Sequence, residues 1–182
     1  VEVTRDNPGR VRAIFTDLDD TFWRWPLIYV EPMRQMVEAL CHDFAIDKEQ
    51  FLAELKTVHR AHSDTEYPLS ILETDSIKFI FDTDDKVVLK EQLQGYIDIF
   101  NQTRQDNLIP ALFGRVHHAL SKLKAAGIHL LAYTDATACA VTRNFYEYGL
   151  INYFDKVVCR GDHELQPGVH GTWLTARAAF NP

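Results

Sequence analysis

The sequence predicts an α/β fold in which a parallel sheet carries an all-helical insertion. Three short apolar runs, each with the pattern of a buried strand, occupy residues 12–17, 129–135 and 156–159. Helical patterns separate the second run from the third, and a long segment without any strand pattern separates the first from the second. An order of strand, helix and strand indicates a parallel sheet.

The first two runs end in polar residues, and this indicates where a ligand would bind. Residues 12–17 end in Thr-Asp, and residues 129–135 repeat that ending. Right-handed crossovers would bring the polar ends of these two strands side by side or nearly so. Ligands of parallel sheets bind at the carboxyl ends of the strands.

Two helices are predicted beside these strands. Leu112, Val116, Leu120 and Leu123 form one apolar stripe, and Gly127 is a typical C-terminal stop. A second helix is predicted over 138–148, where Gly149 would end it.

The middle of the chain shows only helical spacing, which recurs over 31–44, 47–63, 70–82 and 84–105. We therefore expect two domains. Residues 1–22 and 110–182 would form the α/β core, and residues 23–109 would form a helical cap inserted into it.

Composition excludes several classes of protein. With 46% hydrophobic and 25% charged residues, the chain is typical of a folded protein, and no apolar run approaches the length of a membrane span. Residues 22–109 contain 16 acidic and 9 basic residues, which argues against nucleic acid as a partner and is typical of a solvated helical face. Three scattered cysteines are typical of reduced thiols, so we expect a cytoplasmic protein. The sequence predicts no oligomeric state.

A cluster of carboxylates follows the first strand. Asp17, Asp19 and Asp20 lie within four positions, where like charges repel one another. Bound Mg²⁺ would relieve that repulsion, and this ion prefers carboxylate, water and phosphate oxygens. The alternative is an acidic turn that caps the next helix. A calcium-binding loop fits less well, because Phe22 stands where that loop needs glycine.

The sequence resembles the haloacid dehalogenase superfamily of phosphohydrolases. Residues 14–21 match the first motif of that family, an apolar strand followed by Asp-x-Asp-x-Thr. Residues 130–134 match the second, an apolar strand that ends in Thr or Ser. The helical insertion begins where the family's phosphatases carry a cap of the first type. The resemblance therefore implies a Rossmann-like core with a helical cap.

The resemblance also implies roles for individual residues. Asp17 would be the nucleophile that forms an aspartyl-phosphate, and Asp19 would be the general acid and then the general base. Mg²⁺ would bind the carboxylate of Asp17 and the backbone carbonyl of Asp19. Thr134 would bind phosphate, assisted by backbone N–H groups near Leu18, Asp19 and Asp135. The second aspartate favours phosphate chemistry, because the family's dehalogenases lack it.

Several of these residues have structural alternatives. The Thr134 hydroxyl could satisfy the local backbone, and capping of the next helix is the favoured interpretation of Asp135. Asp20 is expected to be structural, since the resemblance gives it no chemical role. Trp23 and Trp25 could line a pocket or anchor the start of the insertion.

Two histidines at helical spacing, His59 and His62, could in principle bind a metal ion. Two ligands without a nearby third make a weak site, so we interpret them as a surface pair.

The late motifs of the family are absent. Gln166 stands where the third motif places a lysine, and Arg160 or Arg177 would be the substitutes, although each is better interpreted as a surface residue. Residues 161–162 resemble the fourth motif, which supplies metal-binding acids, in letters only. We therefore expect the core to be incomplete at its C-terminus.

The function that the sequence predicts is a Mg²⁺-dependent phosphatase acting on a small phosphorylated metabolite through an aspartyl-phosphate. One alternative is a non-catalytic binding or regulatory protein of the same fold. Another is a truncated enzyme that lacks its last core strands. A phosphotransferase or mutase would differ from the phosphatase only in its acceptor.

Overall fold

A computed structural model of the chain describes residues 11–160, and the chain divides into two compact units at Trp23/Arg24 and at Ala111/Leu112. We call residues 24–111 the helical unit and the described residues on either side of them the α/β unit. Gln166, Arg177 and residues 161–162, which the sequence singled out, lie outside the described residues, as does the Arg160 side chain.

The α/β unit contains a parallel sheet, as the sequence predicts. Its strands are β1 (Ala13–Thr16), β2 (His129–Thr137) and β3 (Lys156–Arg160), in the order β1-β2-β3. Both pairings are parallel. The pairing of β2 with β3 shifts register between Tyr133 and Thr137, and such irregularities often lie beside active sites.

One face of the sheet is buried and the other is exposed. Leu130, Ala132 and Val157 alternate with exposed neighbours and are each at most 5% exposed, whereas Phe15 is 74% exposed and Tyr133 is 66% exposed. Successive residues of a strand point to opposite faces, which accounts for the alternation. The same alternation continues at the end of β2, where Thr134 is buried and Asp135 is exposed.

The elements that follow β1 in the chain are nearly all helical. In chain order they are a π-helical turn (Pro26–Val30), α1 (Glu31–Asp43), α2 (Lys48–His62), a 3-10 turn (Pro68–Glu73), α3 (Asp75–Phe81), α4 (Lys86–Gln92), α5 (Gln94–Ala111), α6 (Val116–Ala125) and α7 (Ala138–Glu147). None of these helices is long and apolar enough, within residues 11–160, to cross a membrane.

The helical unit has its own apolar core. Asp47 caps α2 by accepting a hydrogen bond from the Gln50 N–H at 2.8 Å, and Asp85 caps α4 through the Val87 N–H at 2.8 Å. The helices bury large apolar side chains against one another. The most buried of these are Met36, Val37, Leu40, Phe51, Ile71, Leu72, Ile77, Leu89, Leu93 and Phe100.

Some predicted helices are interrupted. The helix predicted over 70–82 is a 3-10 turn and α3, because Thr74 is extended (ψ 145°) and its hydroxyl donates to the Ile71 carbonyl at 2.8 Å. The helix predicted over 84–105 ends at Gln92 and begins again at Gln94. Leu112 lies outside α6, which starts after Arg115 adopts φ +75°.

Candidate active site

The carboxyl ends of β1 and β2 form the candidate site. Thr16 pairs with Ala132 across the two strands, so Asp17 and Thr134 follow at the same edge of the sheet. A cavity of about 510 Å³ opens there. It is lined by Phe15, Thr16, Asp17, Tyr133, Thr134 and Asp135. The structure thus brings the predicted nucleophile and the predicted phosphate-binding threonine to one cavity.

Asp17 is exposed at the start of a tight turn. Its Oδ1 accepts a hydrogen bond from the Leu18 N–H at 2.8 Å. This N–H group, which we expect to bind phosphate, therefore contacts the carboxylate of Asp17 in the structure. The Leu18 side chain is fully buried, and its carbonyl accepts from the Phe22 N–H at 2.9 Å. Asp20 completes the turn in a left-handed conformation (φ +51°), which aspartate tolerates better than most residues. The buried leucine therefore anchors a turn in which Asp17 and Asp20 are exposed and Asp19 is partly buried.

Asp19 differs from Asp17 in its surroundings. Its Oδ1 accepts a hydrogen bond of 2.6 Å from the indole Nε1 of Trp23. Burial raises the pKa of Asp19 to about 6, and repulsion from Asp17, Asp135 and Asp20 adds to that rise, while the Trp23 hydrogen bond opposes it. A carboxyl group with a pKa of about 6 is protonated in about a tenth of the molecules at pH 7, far more often than an ordinary aspartate, which suits a general acid.

Thr134 is 4% exposed and its Oγ1 accepts a hydrogen bond from the Ala136 N–H at 3.2 Å. The local backbone contact that the sequence suggested is therefore present. The hydroxyl proton can still be donated, because a hydroxyl is both donor and acceptor. The capping role expected for Asp135 is wrong: β2 continues to Thr137, and Thr137 Oγ1 caps α7 through the Ala140 N–H at 3.4 Å.

The donor set at the turn suits Mg²⁺ only in part. Within residues 11–160 no group of three or more His, Cys, Asp or Glu side chains could hold a metal ion. Mg²⁺ often takes only one or two carboxylates and completes its shell with water and phosphate oxygens. Asp17 offers one carboxylate. The acidic side chains of the turn repel one another, and within residues 11–160 neither Asp17 nor Asp19 forms an ion pair that would offset this repulsion. A divalent cation would offset that repulsion.

The two histidines at helical spacing do not form a site together. His59 Nε2 lies 3.2 Å from the Tyr67 carbonyl, whereas His62 Nε2 lies 3.0 Å from the Glu73 carboxylate. Each ring has a separate partner, which disfavours the metal-binding alternative.

The two tryptophans after the turn also have separate roles. Trp23 is 1% exposed and stacks on Tyr148 in the α/β unit. Trp25 lies in the helical unit, where its Nε1 donates to Glu66 at 2.5 Å. Sequence reasoning missed the contact of Trp23 with Asp19. Asp19 and Trp23 are four residues apart, a spacing that indicates contact only in a helix, so the sequence alone does not predict a contact between them in a turn.

Comparison with known proteins identifies the family. A family model described as haloacid dehalogenase-like hydrolase matches residues 33–172, more than half of the chain. This range includes Thr134 and begins after Asp17. A search of curated proteins found no match. Among solved structures, a protein assigned as a beta-phosphoglucomutase from Thermotoga maritima matches with 16% identity and a TM-score of 0.43, over 82% of this chain and 61% of that chain. The chain thus spans less than two thirds of that protein. On the strength of the family match, the chain belongs to the haloacid dehalogenase-like hydrolases.

Proposed function

We propose that this protein is a Mg²⁺-dependent phosphatase that hydrolyses a small phosphorylated metabolite through an aspartyl-phosphate at Asp17. The observation that carries the proposal is the shared cavity: Asp17 and Thr134 line it together at the carboxyl edge of β1 and β2. Family membership supports the same chemical class. The sparse cysteines support a cytoplasmic protein, and the acidic helical unit argues against nucleic acid as a partner.

Asp17 is the nucleophile in this proposal. A carboxylate oxygen of Asp17 attacks phosphorus, a new P–O bond forms, and the bond from phosphorus to the leaving oxygen breaks. The exposure of Asp17 suits this role, because the substrate must reach the carboxylate. Water then attacks the same phosphorus and releases Asp17 and inorganic phosphate.

Asp19 is the general acid and then the general base in this proposal. In the first step its carboxyl group gives a proton to the leaving alcohol oxygen, and in the second it takes a proton from the attacking water. Its raised pKa, about 6, supports this assignment, because both protonation states are accessible near neutral pH.

Thr134 positions the phosphoryl group by donating its hydroxyl proton to a phosphate oxygen. Backbone N–H groups near Leu18, Asp19 and Asp135 would also donate hydrogen bonds to the phosphate. The Leu18 N–H would then exchange its hydrogen bond to Asp17 for one to a phosphate oxygen. Mg²⁺ would be held by the Asp17 carboxylate and the Asp19 carbonyl, where it would neutralise charge on the phosphoryl oxygens.

The proposal also includes a division of the chain into a core (1–22 and 110–182) and a cap (23–109). Residues of the cap would determine which substrate is accepted.

The test is hydrolysis of 4-nitrophenyl phosphate with Mg²⁺ and with a chelator. We expect Mg²⁺-dependent turnover that Asp17→Asn abolishes. Asp20→Asn is the matched control: it removes a charge from the same turn, at a residue without a proposed chemical role, and asparagine tolerates the left-handed conformation. Turnover that survives Asp17→Asn, or that is indifferent to the chelator, would sink the assignment.

A non-catalytic binding protein of the same family is the second candidate. The absence of a three-ligand acidic group within residues 11–160 favours it. This candidate predicts that a folded chain binds Mg²⁺ and a phosphorylated ligand in calorimetry without releasing phosphate. Release of phosphate excludes it.

A further inference from the structure

Trp23 contacts the proposed general acid in a way that constrains which oxygen transfers the proton. The indole Nε1 lies 2.6 Å from Oδ1 of Asp19. An indole N–H can only donate a hydrogen bond. The Oδ1 atom therefore accepts, and because the carbonyl oxygen of a protonated carboxyl group is a better acceptor than its hydroxyl oxygen, this hydrogen bond favours the proton on Oδ2.

The indole is held firmly. Trp23 stacks on Tyr148 with ring centroids 5.3 Å apart and forms a T-shaped contact with Phe145 at 6.4 Å. Both partners are buried. The Trp23 backbone also forms β-bridges to Asp19 and to Leu112. A buried ring that packs against two aromatic neighbours and is tied through its own backbone keeps the direction of its N–H nearly constant.

We infer that Trp23 is a positioning residue for the reaction proposed above: its indole N–H fixes the Asp19 carboxyl group so that Oδ2 meets the leaving oxygen of the substrate. The inference rests on the proposed function, because it presupposes that Asp19 protonates a leaving alcohol. Trp23 itself touches no reacting atom.

A second tryptophan offers a matched comparison. Trp25 also donates its indole N–H to a carboxylate, that of Glu66, but this pair belongs to the helical unit. Trp23→Phe and Trp25→Phe each remove one hydrogen bond between an indole and a carboxylate. Only the first variant should disturb the general acid.

The experiment compares two substrates that differ in their need for an acid. The 4-nitrophenolate anion leaves readily without a proton, whereas an alkoxide requires one. We expect Trp23→Phe to lower kcat/KM for an alkyl phosphate by roughly 10- to 100-fold and for 4-nitrophenyl phosphate by less than about 3-fold. Trp25→Phe should leave the ratio of the two rates unchanged.

Two further variants test whether Trp23→Phe disturbs folding and whether Trp23 acts through Asp19. If Trp23→Phe fails to fold, 3-benzothienylalanine at position 23 keeps the shape of the ring and removes only the N–H group. In an Asp19→Asn background, loss of the N–H should cause no further selective loss on the alkyl phosphate, because the two residues act as a unit.

The outcomes separate this inference from the proposed function. A selective loss on the alkyl phosphate supports the positioning role. Equal losses on both substrates, or none, overturn it while leaving the phosphatase assignment intact. Retained turnover in Asp17→Asn would instead overturn the proposed function on both substrates.

Discussion

Thr16 of β1 and Ala132 of β2 are partners in the parallel sheet. This single register relationship determines the candidate site, because Asp17 is the next residue after Thr16 and Thr134 lies two residues beyond Ala132. A side-chain period of two places Thr134 on the same buried face as Ala132. A slip of one residue would move Thr134 to the exposed face and separate it from the phosphate that Asp17 would attack.

Removal of the Thr134 hydroxyl should weaken phosphate binding. Thr134→Val keeps the shape of the side chain and removes one donor, and hydrogen bonds to charged groups contribute about 1.5–3 kcal/mol. We expect kcat/KM to fall by roughly 10- to 100-fold. Thr142→Val is the matched control, because Thr142 is also buried but donates to the Ala138 carbonyl within α7. Equal effects of the two variants on kcat/KM would count against the role of Thr134.

Glu73 should make the helical unit sensitive to acid. Its carboxylate accepts from the Tyr67 hydroxyl at 2.8 Å and from Lys86 Nζ at 2.9 Å, and His62 contacts it as well. Partial burial opposes ionisation, but these hydrogen bonds outweigh it and lower the pKa of Glu73 to about 2. The folded-state pKa is thus below the ordinary value of 4.5. Stabilisation is therefore present above pH 4.5 and is lost as the pH falls toward 2.

The corresponding variant is Glu73→Gln. We expect it to lower the free energy of unfolding at pH 7 by about 1–3 kcal/mol and to flatten the pH dependence below pH 4.5. Urea unfolding at pH 7 and pH 3 measures both effects. Glu91→Gln, at an exposed position of α4, is the control and should change neither. A pH dependence unchanged by Glu73→Gln would contradict the assignment of the acid sensitivity.

Gly149 ends the segment after α7 in a left-handed conformation, with φ +63°. A Cβ at this position would lie 3.7 Å from His117 Cε1, an ordinary van der Waals distance, so space is not the constraint. Gly149→Ala should still destabilise the α/β unit by about 1 kcal/mol, because alanine is strained at positive φ. Gly95→Ala, within α5 and with nothing within 4 Å of the added Cβ, should instead stabilise the helical unit by up to about 1 kcal/mol. Thermal unfolding of the two variants checks the opposite signs.

The parts of the fold that follow from hydrophobic pattern could be predicted from the sequence. The apolar runs at 12–17 and 129–135 correspond to β1 and β2, because a short apolar run with a polar ending is a local property of the chain. Helix interruptions could not be predicted in the same way. Thr74 interrupts a continuous helical spacing by adopting an extended conformation, with its buried hydroxyl bonded to the Ile71 carbonyl, and the apolar spacing does not encode that choice.

The same distinction applies to the candidate site. Asp17 and Thr134 could be singled out because a motif marks each of them. The sequence favours Asp135 as the N-cap of α7, whereas Thr137 caps this helix, because no local pattern indicates that β2 continues two residues further. The hydrogen bond from Trp23 to Asp19 depends on the path of the turn and on ring stacking, and neither has a signature in one sequence.

The most direct test of the central claim is mass spectrometry of enzyme quenched in acid after mixing with 4-nitrophenyl phosphate. Asp19→Asn serves as the trapping variant, because it lacks the base for the second step while this substrate needs no acid in the first. The account predicts a phosphoryl group on Asp17, and its absence when Asp17→Asn is combined with the trapping substitution. Turnover without a phosphoryl group on Asp17, or a phosphoryl group on another residue, would contradict it.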